Sequence, residues 1–245
     1  MKCIPLSPNR IGPVKSQEDR EYKMAASQLP TLPPVMTGWT FSRGPYQKVL
    51  TLSKNIPTPP PPSKSDILIR VSYAPLNPAG PLMISLLPSF TLPKYPIPEI
   101  DFSGTIVQTG PLVAVRFKPN TKVFGCLIPA KTGLSGKGTL AEYIVVNEKI
   151  AAISVVPENV PMDDAAGLGS VGQTAIKMCQ RAGIKGGEKV LINGASGGVG
   201  TMLVQIARAM GATVVVGICS GKNVEFVKKV GADEVRSLLF ADEEP

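Results

Sequence analysis

The sequence predicts an α/β protein, a small, partly open β-barrel followed by a parallel sheet, and three observations carry that expectation. Residues 36–156 contain several short alternating stretches bounded by Gly, Pro or Asn, the pattern of a small barrel with irregular loops. Residues 188–235 read strand, helix, strand, helix, an order that calls for parallel strands joined by right-handed crossovers. The length of 245 residues suits one large domain or two modest ones at about 150 residues per domain.

Taken in order, residues 1–35 form a polar, Pro-punctuated lead. Glu18, Asp19 and Glu21 argue against a mitochondrial presequence, no apolar core of a signal peptide is present, and Met24 offers an internal start. A loose extension is expected there. Residues 47–52 (QKVLTL) and Asp66–Tyr73 (DILIRVSY) alternate polar and apolar and read as half-buried strands. The proline-rich residues 57–62 between them cannot join a central ladder and should run as an extended loop. Further short strands are expected at 104–109, 121–126 and 141–146.

The texture changes after Pro157. Residues 165–182 have helical composition, with Val171, Ala175, Ile176, Cys179 and Ala182 near one face and Gly183 as the stop. Residues 189–193 (KVLIN) form an apolar run ahead of GASGGVG at 194–200. Behind it Val199, Met202, Leu203, Ile206, Ala207 and Met210 fall at steps of three and four, one helical stripe ending at Gly211. Residues 213–218 (TVVVGI) are β-branched and read as a buried parallel strand, and 223–230 as a second helix closed by Gly231.

Composition narrows the chemistry. Hydrophobic residues make up 43% and charged residues 18%, ordinary globular usage that excludes wholesale disorder. No uncharged apolar run approaches the roughly 18 residues that span a bilayer; the best, 212–219, fits a buried strand. The chain has no histidine, which removes Ser-His-Asp and Cys-His nucleophile systems, histidine-containing zinc sites and imidazole acid–base catalysis. Cys3, Cys126, Cys179 and Cys219 include no CxxC pair and read as reduced thiols of an intracellular protein. A net charge of +8 suits a polyanionic partner, nucleic acid or a phosphorylated cofactor. Lys and Arg are spread along the chain without a dense run or an aromatic-rich basic platform, so nucleic acid is not expected.

The glycine-rich string at 194–200 sits between a strand and an amphipathic helix, where a diphosphate-binding loop belongs. In GxGxxG register the positions are Ala195, Gly197 and Gly200, with Ser196, Gly198 and Val199 between them. Gly197 lets the backbone approach a pyrophosphate at the free N–H groups and positive end of the helix, and Gly200 allows close helix–strand packing. Ala195 in place of the first glycine asks for a different turn. The bland alternative is a tight turn that binds no phosphate. Past the second strand, where an NAD site usually places Asp or Glu, the chain reads Cys219-Ser220-Gly221-Lys222-Asn223. Ser220 can donate to a 2′-phosphate and Lys222 supplies charge, with Asn223 beside them, so NADPH is favoured over NADH. An exposed lysine in the first turn of a helix is the alternative.

YAPLNPAG (73–80), PEIDFSGTIVQTG (98–110), GTLAEYIVV (138–146), GASGGVGTMLVQIARAMGA (194–212) and CSGKNVEFVKKVGADEV (219–235) occur in that order. Together they resemble the medium-chain dehydrogenase/reductase superfamily, in its zinc-independent, quinone oxidoreductase-like branch, over about residues 36–235. The resemblance implies a GroES-like, partly open β-barrel substrate domain over 36–156 and a Rossmann NADP-binding domain over 157–245, with the active cleft between them. Zinc-dependent members carry Cys near the LNPAG position and Gly-His-Glu at 99–101. Asn77 and Ile100 cannot replace those ligands, and the four-cysteine structural lobe is missing, so no metal is expected. Relatives continue after GADEV with an Asp-Tyr pair and further β-α units, whereas Arg236-Ser237-Leu238-Leu239-Phe240 follows here. A C-terminally truncated, incomplete Rossmann sheet holding the first mononucleotide half is therefore expected, with residues 189–192 presenting an unpaired edge.

Without a metal to balance a developing alkoxide, a simple ketone is a hard acceptor, whereas a quinone or α,β-unsaturated carbonyl spreads the charge by conjugation. The expected activity is hydride transfer from NADPH to such an acceptor; a non-catalytic NADPH-binding remnant or scaffold is the alternative. Asn77, by its place in the LNP motif, is the candidate polar group near the nicotinamide, with loop structure as its other reading. Tyr73 could donate a proton or simply pack on its strand. Thr174 resembles a family residue that hydrogen-bonds the cofactor, or is a helix-interior hydroxyl. Tyr143 and Cys219 are assigned to packing. The expected partner is a small-molecule quinone or enone, with a homodimer left open, no membrane span and a cytoplasmic location.

Overall fold

A computed structural model describes residues 32–42, 50–78, 80 and 92–237, and from Pro34 onward they belong to one compact unit. The extension expected over 1–35 lies almost wholly outside the described residues, as does Cys3.

The first half is antiparallel. Its strands are β1 (Val35–Phe41), β2 (Leu50–Pro57), β3 (Asp66–Tyr73), β4 (Asp101–Thr109), β5 (Lys122–Cys126), β6 (Tyr143–Asn147) and β7 (Ala152–Val155), with helix α1 (Pro129–Ser135) between β5 and β6. β1 pairs with β2, and the rest form a five-stranded sheet in the order β6-β3-β4-β5-β7. A bridge between Gly38 and Ala141 joins the two sheets, which do not close into a barrel among the described residues. Burial of Ile67, Ile69, Phe102, Ile106, Val123 and Val146 on one face builds the core of the larger sheet.

Two expectations fail here for identifiable reasons. Strand β3 is not half-buried at its start, because Ile67, Leu68 and Ile69 are all fully buried. The second face is covered by helix α2 (Met162–Ala166), which packs on β3, β4 and β5. Ser103, opposite in facing to Phe102, donates its hydroxyl to the Met162 carbonyl at 2.5 Å, and the small Ala165 and Ala166 let the helix lie close. The single helix expected over 165–182 is therefore two: α2, and α3 (Ser170–Ala182). The break falls at Gly169, where a Cβ would come within 2.5 Å of both the Asp101 carboxylate and the Gly125 carbonyl. On α3 only Ala175 and Cys179 of the expected stripe are buried, and Ile176 is 44% exposed.

The second half holds β8 (Lys189–Asn193), α4 (Gly198–Ala209), β9 (Val214–Cys219), a 3-10 turn (Gly221–Asn223), α5 (Val224–Lys229) and β10 (Glu234–Ser237). The three strands are parallel in the order β10-β9-β8, with Lys189 opposite Val214 and Glu234 opposite Val216. That is the 3-2-1 order of the first half of a doubly wound sheet. Helix α4 buries Gly200, Val204 and Ala207, while Leu203, Ile206 and Met210 pack on the flank, so its apolar face is rotated from the expected stripe toward Val204. Among the described residues β8 has a strand partner on one side only, and Leu191 is 65% exposed along it. Cys126, Cys179 and Cys219 are free thiols, the last two buried.

Candidate functional site

The glycine loop is built by the turn out of β8. Gly194 carries the left-handed backbone (φ +74°) that the fingerprint would put on its first glycine, which frees the next position for Ala195. Ala195 is fully buried and its N–H donates to the Ile218 carbonyl at 2.9 Å, tying the loop to β9. Its Cβ lies 3.0 Å from where one on Gly217 would be, which accounts for glycine in the middle of β9. At Gly200 a Cβ would lie 2.1 Å from the Gly194 carbonyl oxygen, so that position admits no side chain.

Gly197 caps α4 without a side-chain hydrogen bond. A Cβ on Gly197 or Gly198 would meet protein no closer than 3.4 and 3.5 Å, so side chains there would fill only the space before the helix. The first amides of α4 are thus left bare at the positive end of a twelve-residue helix. This is a cradle shaped for an anion.

Ser196, Ser220 and Asn223 come together beside it. Asn223 Nδ2 donates to Ser196 Oγ at 3.2 Å and to Ser220 Oγ at 2.9 Å. Both hydroxyls therefore accept from the amide and keep their own hydrogens for another group. Lys222 sits exposed in the 3-10 turn with no protein partner among the described residues.

A second cluster lies where β4 meets α3. Asn77 donates its backbone N–H to Glu99 Oε2 at 3.0 Å, and its Nδ2 to Glu99 Oε2 at 3.2 Å and Asp101 Oδ2 at 3.1 Å. Both carboxylates are buried, with Glu99 held at a positive φ of 69°. Asp101 also accepts from the Ser170 N–H at 2.8 Å and from its hydroxyl at 2.5 Å. Hydrogen bonds to a charged group contribute about 1.5–3 kcal/mol each, so three donors on one buried carboxylate make a firm tether. Because carboxylates only accept, the nitrogen of the Asn77 amide must face them, and the amide oxygen is what remains to offer elsewhere. The neighbouring Cys126 thiol is pushed up to about 12 by burial first and then by the Asp101 charge and hydrogen bond, so it stays protonated and is no nucleophile.

Of the remaining candidates, Thr174 is exposed on α3 and back-bonds to the Ser170 carbonyl at 2.8 Å. Tyr73 ends β3, paired with Ser103 of β4, with half its surface exposed and no hydrogen bond from its phenol to the described residues. The structure thus gathers Ser196, Ser220 and Asn223 in one place and ties Asn77 to α3 in another. Asp101, Glu99, Ser170 and Gly169 were not singled out from the sequence. Their signal was two carboxylates bracketing Ile100 at the head of an apolar strand, which must find donors if buried. Among the described residues no group of three or more metal-ligating side chains converges, and no helix is long and apolar enough to cross a membrane.

Comparison with known proteins gives the following. Residues 63–158 match the family model described as the alcohol dehydrogenase GroES-like domain. The chain is 33% identical over 219 residues to the medium chain reductase pydE of Acremonium sp, covering 81% of this chain and 60% of that protein. It is 35% identical over 219 residues to the trans-enoyl reductase pgmF of Aspergillus terreus, covering 84% and 59%. The solved quinone oxidoreductase of Coxiella burnetii superposes with a TM-score of 0.70 at 29% identity, over 86% of this chain and 64% of that one. The chain spans about 60% of the length of these curated relatives.

Proposed function

We propose an activity for a chain that belongs to the medium-chain dehydrogenase/reductase superfamily, in its zinc-independent, quinone-oxidoreductase-like branch: NADPH-dependent reduction of a quinone or an α,β-unsaturated carbonyl. Residues 36–156 serve as the substrate domain and 157–245 as the nucleotide domain. The observation that carries the reading is the glycine loop, which leaves the head of α4 without a side-chain cap and with open space at Gly197 and Gly198, beside two serine hydroxyls that accept from Asn223 and keep their own hydrogens to donate.

In this reading the N–H groups at the start of α4 hold the diphosphate. Ser220 and Ser196 donate to the phosphate on the adenosine ribose, oriented by Asn223, and Lys222 supplies the countercharge. Absence of a carboxylate after β9 spares that phosphate a repulsion. When bound, the reduced nicotinamide supplies hydride to the conjugated acceptor. Asn77 serves as an acceptor through its amide oxygen, suited to an N–H or O–H of coenzyme or substrate rather than to a developing oxyanion, since its donors are committed. Thr174 and Tyr73 fill out the site as cofactor contact and proton donor. Similarity to proteins named as reductases and quinone oxidoreductases supports the substrate class.

The test is loss of NADPH absorbance with a panel of quinones and enones. Turnover is expected with conjugated acceptors and not with simple ketones. Coenzyme binding without turnover on any acceptor would favour the non-catalytic reading instead.

A further inference from the structure

We propose that Asp101 is a positioning residue, whose carboxylate latches the Asn77 loop to the first turn of α3 and through that turn sets the glycine loop relative to Asn77. The proposal rests on the coenzyme reading above. On the antiparallel side, Asp101 Oδ2 accepts from Asn77 Nδ2 at 3.1 Å. On the other side it accepts both the N–H and the hydroxyl of Ser170, so α3 is capped by a carboxylate 69 residues away. The helix's own capping position, Gly169, offers no side chain, and a negative charge there is matched to the helix dipole. The next residue reaches the glycine loop: a Cβ on Gly198 would stand 3.5 Å from Val171 Cγ1.

The approach is specific to these residues. Gly169 permits it, because a Cβ there would lie 2.5 Å from Asp101 Oδ1. The Asp101 carboxylate is 1% exposed, so water does not compete for its donors. Hydrogen bonds therefore run from Asn77 through Asp101 to Ser170, and α3, which Ser170 opens, packs against α4 with Val171 the side chain nearest the Gly198 position.

Consequences for binding differ along the coenzyme. Its adenosine end depends on Ser196, Ser220, Lys222 and Asn223, none of which touches the latch. Its nicotinamide end depends on the glycine loop and Asn77 being held at one separation, where small displacements are costly. Loosening the latch weakens NADPH and spares adenosine 2′,5′-bisphosphate, which lacks the nicotinamide.

Calorimetric binding of both ligands to the unmodified chain and to Asp101→Asn, Ser170→Ala and Ser170→Thr tests this. Asp101→Asn and Ser170→Ala are expected to weaken NADPH about tenfold (~1.4 kcal/mol) and to leave the bisphosphate within about twofold. Ser170→Thr keeps the hydroxyl and is expected to bind both ligands as the unmodified chain does. Should Asp101→Asn fail to fold, Ser170→Ala decides alone, since it retains the carboxylate and its backbone hydrogen bond. A lowered melting temperature with the ratio of the two affinities unmoved means a structural role only and overturns the proposal. Failure of the unmodified chain to bind the bisphosphate overturns the coenzyme reading and the latch with it; intact bisphosphate binding with an unmoved ratio overturns the latch alone.

Discussion

Gly194 and Gly200 divide between them a task that a three-glycine fingerprint spreads differently. The left-handed turn is at Gly194 and the close approach at Gly200, whose missing Cβ would otherwise sit 2.1 Å from the Gly194 carbonyl. Ala195 is then free to be a buried packing residue, so its departure from the pattern costs the loop nothing. Beyond β9, Lys222 is exposed in the 3-10 turn with no partner among the described residues, and the proposed coenzyme site gives its charge to the ribose phosphate. Lys222→Ala is expected to lower the preference for NADPH over NADH about tenfold, the scale of one charge-assisted hydrogen bond, while leaving NADH affinity unchanged. Paired binding titrations check this; an unchanged preference removes Lys222 from the pocket.

Among elements, the return from α5 to β10 is pinned by one aspartate. Asp233 accepts from the Val215 N–H at 2.7 Å and from the Arg208 guanidinium of α4, and Arg208 also donates to the Gly231 carbonyl at 3.2 Å. The Val215 amide first, and Arg208 after it, hold the Asp233 carboxyl below the usual aspartate range. A depressed folded-state pKa stabilises above the unfolded value of about 3.9 and is lost as pH falls through the folded one. Asp233→Asn is therefore expected to melt a few degrees below the unmodified chain at neutral pH, the gap closing as the pH drops below about 3.9. Melting curves across that range decide it; a gap that persists in strong acid assigns the effect to packing. Elements of this half were legible because strand and helix periods alternate cleanly between glycine stops. Strands β7 and β10 were not, each being four residues long with none of them buried, and in β1 the alternate buried positions include Gly38, which carries no apolar side chain to mark it. The break between α2 and α3 was illegible too, since its cause is a carboxylate far along the chain.

At the scale of the whole described chain, the two-stranded sheet joins the five-stranded one through the Gly38–Ala141 bridge, α2 covers a face of the five-stranded sheet, and α3, tied to Asp101 of β4, packs on α4 of the parallel half. The glycine loop could be read from local sequence because its chemistry is contiguous, within seven residues of one turn. The Asn77–Asp101–Ser170 bridge could not, because its members lie in three segments and only the fold juxtaposes them. Asn77 shows the same limit: its motif marked it, yet which end of its amide is free follows only from the two carboxylates beside it. The central claim is that bare amides at the head of α4 hold the coenzyme's diphosphate. A titration of the isotope-labelled chain with NADPH, followed through backbone amide shifts, tests it most directly. The account predicts saturable shifts that are largest at residues 197–200 and 220–223; no shift at millimolar coenzyme, or the largest shifts in other segments, would contradict it.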